Sequence, residues 1–572
     1  MNRFRPLSFL ISITLLSCSF ALPLLAEQLG DTDFLDRVKD IVPTPSSPVR
    51  GDDEKQLLKR ETDLLMKQTV DEVVAHRTAA ACFGEIDPQA PRVSRDVVVD
   101  PRQTRWHSTG LYAAPGEKLR VKLSPPASEK GVWIRIGGHV DNIARRPAWK
   151  RMPRVHRALL VKGDQGLVAS PFGGAVYIDI GDNPPFSEPF TVTVENAVPA
   201  PYFVLGETSD KEWVEKIRDY PAPYAELVCD HLCISLPSKY VRDLHNPTEL
   251  MQFWDKTVAG HDWLGGHAHL RKFPDRINID VQISIGAAHS GYPAQGNQAW
   301  GLLDLDHLRR EGSWGWFHEL GHEAQTRPDK RWPYDNYYTF DGSIECTVNL
   351  YSSHARDIHG IKSRPGWGWT SYPEQVMRKA LDVVRDPEKT YASVGVGQKL
   401  AMMLQLRDAF GWNAWQEVLG GYTRDFDNGV ISGRWSDQRK RDEFLLRFSK
   451  VCGHDLTRWL RDYWKVAVSD QAVAKVAELG LPEWLPATGG IQGVQKVAAE
   501  GCEFDLGGSL LSFDGKAKLL SVEQPEQGVL EELAEGVWRY LPRDGFAGED
   551  SFSYKVQSST GHISTVVVRP QV

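Results

Sequence analysis

The stretch WGWFHELGHE, residues Trp314–Glu323, directs the interpretation of this chain because it holds two histidines four residues apart, the first followed directly by a glutamate. Side chains at positions i and i+4 share one face of an α-helix, so His318 and His322 can present ring nitrogens to one ion, with Glu319 beside them. Zinc accepts imidazole nitrogen and carboxylate oxygen, and a catalytic zinc has three protein ligands and an open position for water. The pattern therefore predicts a zinc-binding helix that still needs a third ligand.

The same pattern is also typical of a charged helix face with two ordinary histidines. The neighbouring residues must therefore distinguish this interpretation from a metal site. Three bulky aromatic residues precede the first histidine, namely Trp314, Trp316 and Phe317. They indicate a helix that is buried in a core. Histidines on a buried helix need partners, because unpaired polar burial is costly. The surroundings therefore favour the metal site.

A downstream segment supplies the missing ligand. Asp341–Tyr351 has the composition of a helix start, with Asp341 or Ser343 as the N-cap. Glu345 follows His322 after 22 intervening residues and is the predicted third ligand.

Asn349 comes one helical turn after Glu345, where it could hold a ligand histidine by its second ring nitrogen. We therefore predict one catalytic Zn²⁺ held by His318, His322 and Glu345. In the predicted reaction, Glu319 is the catalytic residue: it takes a proton from the metal-bound water and passes it to the leaving amine.

Composition limits the function classes. A chain of 572 residues predicts two to four domains. The net charge of −8 and the absence of a strongly basic run argue against a nucleic-acid partner. No internal run reaches the roughly 18 apolar residues of a transmembrane span.

The N-terminus, with Arg3, Arg5 and an apolar run over residues 7–25, predicts an export signal that is cleaved after Ala26. The protein would then be secreted, periplasmic or displayed on the cell surface. Leu15–Cys18 faintly resembles a lipoprotein processing box, but Leu16 fits it poorly, so we favour cleavage over a lipid anchor at Cys18.

The pattern along the chain predicts a multidomain α+β protein. A signal peptide (1–26) precedes a linker and N-terminal helices (27–93), with helical spacing from Asp52 to Phe83. Short β-rich runs punctuated by turn residues predict a β-sandwich over 94–200. Mixed signals over 201–485 predict a zincin-like α/β catalytic domain, whose helical lobe comprises Lys399–Tyr422 and Arg441–Trp464. A small β-sandwich follows over 494–572.

Three further segments carry specific predictions. Asn278–Ile285 alternates like an edge strand, which in many metallopeptidases holds an extended peptide. Arg331–Tyr338 is an aromatic loop that either lines the substrate pocket or seals the core. Cys229 and Cys233 form either a local disulfide or two buried thiols; a second metal site is disfavoured because no matching pair occurs elsewhere.

These motifs together resemble the enhancin-like, mucin-targeting zinc metallopeptidases of the gluzincin type, which share HExGH and a downstream glutamate ligand. Gly315–Gln325 and Glu345–Tyr351 carry the resemblance at the metal site. Ser108–Glu117 and Ser170–Gly174 are similar to the family's N-terminal sandwich, and His289–Pro293 to the loop before its zinc helix. The C-terminal stretches Gly536–Pro542 and Asp544–Val556 resemble a bacterial immunoglobulin-like or cadherin-like module.

The resemblance implies an endopeptidase that acts on glycoproteins, often mucin-type O-glycosylated chains, with a glycoprotein or glycopeptide as its partner. It assigns no substrate-binding residue here. Two alternatives remain: a glycan-binding surface adhesin with an inactive peptidase fold, and a general metallopeptidase without glycan dependence.

Overall fold

The computed structural model describes residues 32–299, 301–361, 383–384, 386–488, 493–506, 511–512 and 516–572. The predicted signal peptide and Cys18 lie outside the described residues. The chain forms two compact units, Met1–Val258 with Arg271–Leu305, and Ala259–Leu270 with Asp306–Val572. Both contain helices and strands, so the prediction of a multidomain α+β protein is confirmed.

The first unit begins with three short helices that pack on a shared apolar core. The predicted helical region is interrupted, because residues 66–78 contain turns between its two helices. Glu61 is buried among these helices and pairs with Arg77. The helices are α1 Thr32–Val38, α2 Asp52–Leu65 and α3 Ala79–Phe83.

Eight strands follow and form the predicted N-terminal sandwich. The sheet order is β5-β4-β7-β2-β8-β3-β6, with β1 also paired to β8. The long strand β8 pairs with β1 along most of its length, with β3 over its middle residues and with β2 at its end, so it joins the two layers. Apolar side chains alternate inward along β3, as expected of a strand with one solvated face. The elements are β1 Val93–Val99, β2 Trp106–Ala113, β3 Leu119–Leu123, α4 Ala127–Lys130, β4 Val132–Ile136, β5 Arg157–Val161, β6 Gln165–Val168, β7 Gly174–Asp179 and β8 Phe190–Pro199.

A second sheet of six strands completes the first unit, in the order β13-β14-β12-β11-β10-β9. The prediction of an edge strand over Asn278–Ile285 is wrong: the strand ends at Ile279 and lies between two neighbours. The chain turns because the Asp280 carboxylate accepts the Gln282 backbone N–H and pairs with the buried Arg151. The elements are β9 Tyr202–Val204, α5 Asp210–Glu215, β10 Tyr224–Val228, β11 Leu232–Pro237, α6 Pro247–Gly265, β12 Asp275–Ile279, β13 Ala288–His289 and β14 Ala294–Gly296.

The two cysteines of the β10–β11 hairpin are buried thiols and do not form a disulfide. Val228 pairs with Cys233, whereas the Cys229 backbone N–H bonds to the Leu232 carbonyl. Adjacent positions of a hairpin point to opposite faces, so the two thiols face away from each other. The strand register therefore excludes a disulfide between Cys229 and Cys233 and leaves the alternative of two buried thiols.

The second unit holds the helical lobe around a large core that includes Trp415, Trp459 and Trp464. The predicted Lys399–Tyr422 helix is part of a longer helix, which is broken at Gly411 (φ 76°). The predicted Arg441–Trp464 helix is two elements, because Gly453 ends the first in the left-handed conformation. The helices are α7 Leu305–Glu311, α8 Trp314–Gln325, α9 Ile344–Ile358, α10 Val396–Asp427, α11 Asp437–Cys452, a π-helix Arg458–Tyr463 and α12 Asp470–Ala477.

The C-terminal region of the same unit is built of short strands. A four-stranded sheet, β16-β23-β22-β19, and a three-stranded sheet, β17-β21-β20, enclose a small core with Phe504, Tyr540 and Tyr554. None of the helices in the described ranges has the length and hydropathy needed to cross a membrane. The strands are β15 Ala487–Thr488, β16 Gly493–Lys496, β17 Cys502–Asp505, β18 Leu511–Ser512, β19 Lys518–Glu523, β20 Gly528–Ala534, β21 Val537–Pro542, β22 Phe552–Gln557 and β23 Ile563–Gln571.

Candidate metal centre

Helix α8 presents both motif histidines because of its local sequence pattern. It follows Gly312 in the left-handed conformation (φ 73°), and Ser313 is its N-cap residue. The apolar residues Phe317, Leu320 and Ala324, at i, i+3 and i+7, are buried and fix that face in the core. The histidines at i+1 and i+5 then occupy a neighbouring face together.

A glycine inside the motif lets α8 approach helix α9 closely. A Cβ at Gly321 would lie 3.0 Å from Val348 Cγ2 and 3.1 Å from Tyr351 Cβ. Larger residues would therefore separate the two helices. The contact brings the start of α9, where Glu345 lies, to the histidines.

The three predicted ligands come together at this contact. One potential ligand atom from each of His318, His322 and Glu345 lies within 4.8 Å of the other two. Glu345 Oε2 is 3.1 Å from His318 Nε2 and 3.6 Å from His322 Nε2. The carboxylate side chain is 58% exposed, so the centre opens to solvent.

Two amide side chains hold the other ring nitrogens. His318 Nδ1 is 2.9 Å from Asn349 Oδ1, and His322 Nδ1 is 2.8 Å from Gln325 Oε1. Asn349 Nδ2 donates to the Glu345 carbonyl, so its oxygen must face the imidazole. Gln325 is oriented in the same way, because its Nε2 donates to Thr347 Oγ1 at 2.6 Å.

These amide oxygens can only accept hydrogen bonds, so each Nδ1 carries the proton and each Nε2 has a lone pair for a metal. A cation bound between the two Nε2 atoms and the carboxylate would replace the hydrogen bond that joins His318 Nε2 to Glu345 Oε2. Imidazole, imidazole and carboxylate with one side open match a catalytic zinc. The residues present therefore fit the metal that the motif predicts.

Glu345 and His318 shift each other's pKa values in opposite directions. The hydrogen bond with His318 lowers the pKa of the Glu345 carboxyl far below its ordinary value, and the hydrogen bond with His322 lowers it further. Burial alone would raise this pKa, but the two histidines outweigh it. Burial lowers the pKa of His318, but its bonds with Glu345 and Asn349 and the nearby charge of Glu319 outweigh burial and raise it.

Two other side chains lie beside the cluster. Glu319 is half-buried and interacts electrostatically with His318. Tyr334 is 40% exposed, and its ring stands edge-on to His322 with 5.2 Å between the ring centroids. In the aromatic loop, Tyr338 is buried in the core, which is one of the two predicted alternatives, while Tyr334 stands beside the metal-ligand cluster.

The sequence analysis did not predict the contact of Gln325 with His322. It placed the start of α9 at the right residue but not the contact that this residue makes. Gln325 follows His322 by three residues, a spacing that places both on one helix face and could have indicated the contact. Ser343 is the N-cap residue of α9, but its hydroxyl accepts the Phe340 N–H and does not cap the helix. Asp341 pairs with Arg441.

Comparison with known proteins defines the class. Residues 196–465 match the family model for Peptidase M60, enhancin and enhancin-like proteins, and residues 88–195 match the N-terminal domain of M60-like peptidases. These adjoining matches cover well over half of the chain, which therefore belongs to the enhancin-like M60 peptidase family. Residues 495–569 match a bacterial Ig domain. The predicted resemblance is confirmed.

Among solved structures, the IMPa metallopeptidase from Pseudomonas aeruginosa gives a TM-score of 0.57 at 15% identity, over 79% of this chain and 66% of that one. IMPa in complex with an O-glycopeptide gives a TM-score of 0.55 at 14% identity, over 76% of this chain and 62% of that one. A mutant of a functionally unknown protein of Bacillus anthracis str. Ames gives a TM-score of 0.55 at 18% identity, over 84% of this chain and 99% of that one. At these identities the likeness is one of fold.

Curated relatives are similar over part of their length. The TRPM8 channel-associated factor homolog of Danio rerio is 32% identical over 365 residues, 63% of this chain and 38% of that protein. TRPM8 channel-associated factor 2 of Bos taurus is 29% identical over 445 residues, 77% of this chain and 46% of that protein. The chain thus spans less than half the length of these relatives.

Proposed function

We propose that this chain is an exported zinc-dependent endopeptidase that hydrolyses peptide bonds in glycoproteins with mucin-type O-glycans. The observation that carries the proposal is the orientation of His318 and His322, whose Nδ1 atoms are held by Asn349 and Gln325 so that both Nε2 atoms point with Glu345 to one position. Family membership and the O-glycopeptide bound by the similar IMPa support the reaction and substrate class.

In this proposal His318, His322 and Glu345 hold one Zn²⁺ and leave the solvent side open. When bound, zinc lowers the pKa of a water molecule and polarises the scissile carbonyl. Glu319 accepts the proton of the attacking water and then donates it to the leaving amine, so it serves as base and then as acid.

A matched substrate pair tests the reaction and its glycan dependence. Wild-type protein should cleave a mucin-type O-glycopeptide, and the Glu319→Gln variant should lose roughly 10²–10⁴-fold in rate while keeping its fold and bound zinc. Retained activity in Glu319→Gln would refute the mechanism. Equal cleavage of the deglycosylated peptide would favour a general peptidase.

The names of the curated relatives favour one second candidate, a binding protein without turnover. Those proteins are described as channel-associated factors, and the predicted adhesin alternative is of the same kind. If the zinc-loaded wild-type chain binds the glycopeptide but cleaves neither it nor the deglycosylated peptide, the binding role replaces the peptidase.

A further inference from the structure

A long loop joins β4 to β5, which are antiparallel neighbours in the N-terminal sheet. The loop spans residues 137–156 and contains no helix and no named strand. Neighbouring antiparallel strands are usually joined by about two to five residues, and connections as long as this one commonly have a function of their own. The length of the loop therefore makes it a candidate binding segment.

Inward-facing side chains hold this loop in one conformation. Trp149 and Met152 are buried in the core of the first unit. Arg151 is fully buried, and its Nη2 lies 2.7 Å from Asp280 Oδ2. The Gln282 side chain accepts the backbone N–H of the residue after Trp149 and donates to the carbonyl of the residue before it. The outward-facing side chains of the loop therefore start from a fixed backbone.

Three of these outward-facing side chains form a basic patch, which we define as Arg145, Lys150 and Arg154. All three are exposed, and none forms an ion pair with any described residue. The one carboxylate of the loop, Asp141, is already engaged, because its Oδ2 lies 2.8 Å from His289 Nε2. The patch therefore has a positive charge that its own loop does not neutralise.

The sequence around the patch is strongly basic although the whole chain has a net charge of −8. Residues 145–157 hold six Lys or Arg residues and no Asp or Glu. The prediction that the chain has no strongly basic run is thus wrong for this segment. A local charge of this kind favours an anionic partner.

The two strands that the loop joins also expose apolar side chains. Trp133 of β4 and Leu160 of β5 are direct cross-strand partners, and they are 48% and 53% exposed. From Arg154 to Leu160, more exposed and more buried residues alternate, so Arg154 and Leu160 lie on the same face of this segment. One face thus combines a cation of the basic patch with an apolar pair.

We propose that this face docks on the surface of a bilayer that contains anionic phospholipids. The basic patch would pair with headgroup phosphates, and Trp133 and Leu160 would enter the boundary between headgroups and acyl chains, where Trp is favoured. A soluble polyanion would pair with the cations but leave the apolar pair in water, so the combination favours a membrane. This docking goes beyond the proposed peptidase activity and needs neither zinc nor cleavage.

Co-sedimentation with lipid vesicles measures the docking. The chain that starts at Glu27 keeps every described residue and lacks the apolar run over residues 7–25, which could itself insert into a bilayer. We expect it to bind vesicles of equimolar phosphatidylglycerol and phosphatidylcholine about 100-fold more tightly than vesicles of phosphatidylcholine alone, because each of three cations contributes about fivefold at an anionic surface. Raising the salt from about 0.1 M to about 1 M should release the protein, because the screening length falls from about 10 Å to about 3 Å.

Two variants separate the two parts of the face. The triple variant Arg145→Gln, Lys150→Gln, Arg154→Gln should weaken binding to the anionic vesicles roughly 100-fold. The double variant Trp133→Ser, Leu160→Ser should weaken it at least about tenfold, because it removes the apolar surface that enters the bilayer. Thermal unfolding of each variant shows that it is folded.

A matched control removes the same charge elsewhere in the first unit. Lys216, Lys239 and Lys272 are also exposed and form no ion pair with any described residue. They belong to segments around the six-stranded sheet and lie outside the β4–β5 hairpin. The triple variant Lys216→Gln, Lys239→Gln, Lys272→Gln should change binding less than about twofold, because charges distant from the docked face are screened.

Three results would overturn the proposal: no binding to the anionic vesicles, equal binding to both kinds of vesicle, or equal losses in the basic-patch variant and the control. Retention on immobilised heparin that the basic-patch variant loses, without binding to vesicles, would replace the membrane by a soluble polyanion. These results are distinct from failure of the proposed function. A chain that cleaves glycopeptides but does not dock refutes only the docking, whereas one that docks but does not cleave refutes only the peptidase.

Discussion

The hydrogen bond between Gln325 and His322 gives a sharp test of how the metal centre is held. Gln325 is fully buried, accepts from His322 Nδ1 at 2.8 Å and donates to Thr347 Oγ1 at 2.6 Å. In Gln325→Leu the side chain keeps a similar volume but cannot bond to either. The imidazole of His322 then loses the group that fixes its tautomer and ring orientation.

Loss of such an outer partner typically weakens metal binding by 10–100-fold, about 1.4–2.7 kcal/mol of binding free energy. The hydrogen bonds lost from the Gln325 amide should lower the free energy of unfolding by about 1–3 kcal/mol. We expect both effects in Gln325→Leu. Zinc affinity is measured by competition with a chromophoric chelator, and stability by thermal unfolding of the metal-free protein.

A buried glutamine of the first unit provides the matched control. Gln295 is also fully buried, accepts from Asn278 and donates to the Gly138 carbonyl. Gln295→Leu should lose comparable stability with unchanged zinc affinity. If Gln325→Leu binds zinc within about twofold of wild type while it is destabilised like the control, Gln325 does not orient a ligand and the argument from His322 fails.

Two further predictions concern packing and pH. Gly321→Ala places a methyl group 3.0 Å from Val348 Cγ2, so we expect a loss of about 1–3 kcal/mol in unfolding free energy, measured by denaturant titration; an unchanged midpoint would contradict this contact. Although burial raises the pKa of Glu61, His76 and Arg77 outweigh it and lower the pKa to about 2. The stabilisation by Glu61, on the order of 3 kcal/mol, is then present above pH 4.5 and lost as the pH falls towards 2, a loss that Glu61→Gln should not show.

The sequence predicted those parts of the site that depend on local spacing. His318 and His322 share a face because they are one helical turn apart, and Asn349 lies one turn beyond Glu345 for the same reason. That the two helices meet was inferred from ligand chemistry. Gln325 was missed because its contact with Thr347 depends on how closely α8 approaches α9, which Gly321 permits.

Errors arose where side-chain contacts from distant segments override local pattern. Asn278–Ile285 alternates like a strand, yet Asp280 turns the chain because Arg151, far away in sequence, pairs with its carboxylate. The Cys229–Cys233 spacing was no error, since the prediction left a disulfide and two buried thiols open, but only the hairpin register decides between them.

The position of the metal tests the central claim most directly. We expect one anomalous peak in crystals of zinc-loaded wild-type protein when diffraction is recorded at the zinc absorption edge. The zinc ion at this peak should be bonded to His318 Nε2, His322 Nε2 and a Glu345 carboxylate oxygen at about 2.0–2.2 Å. The peak should vanish in Glu345→Ala crystals grown under the same conditions. A peak elsewhere in the chain, or an unchanged peak in Glu345→Ala, would contradict the assignment of these three ligands.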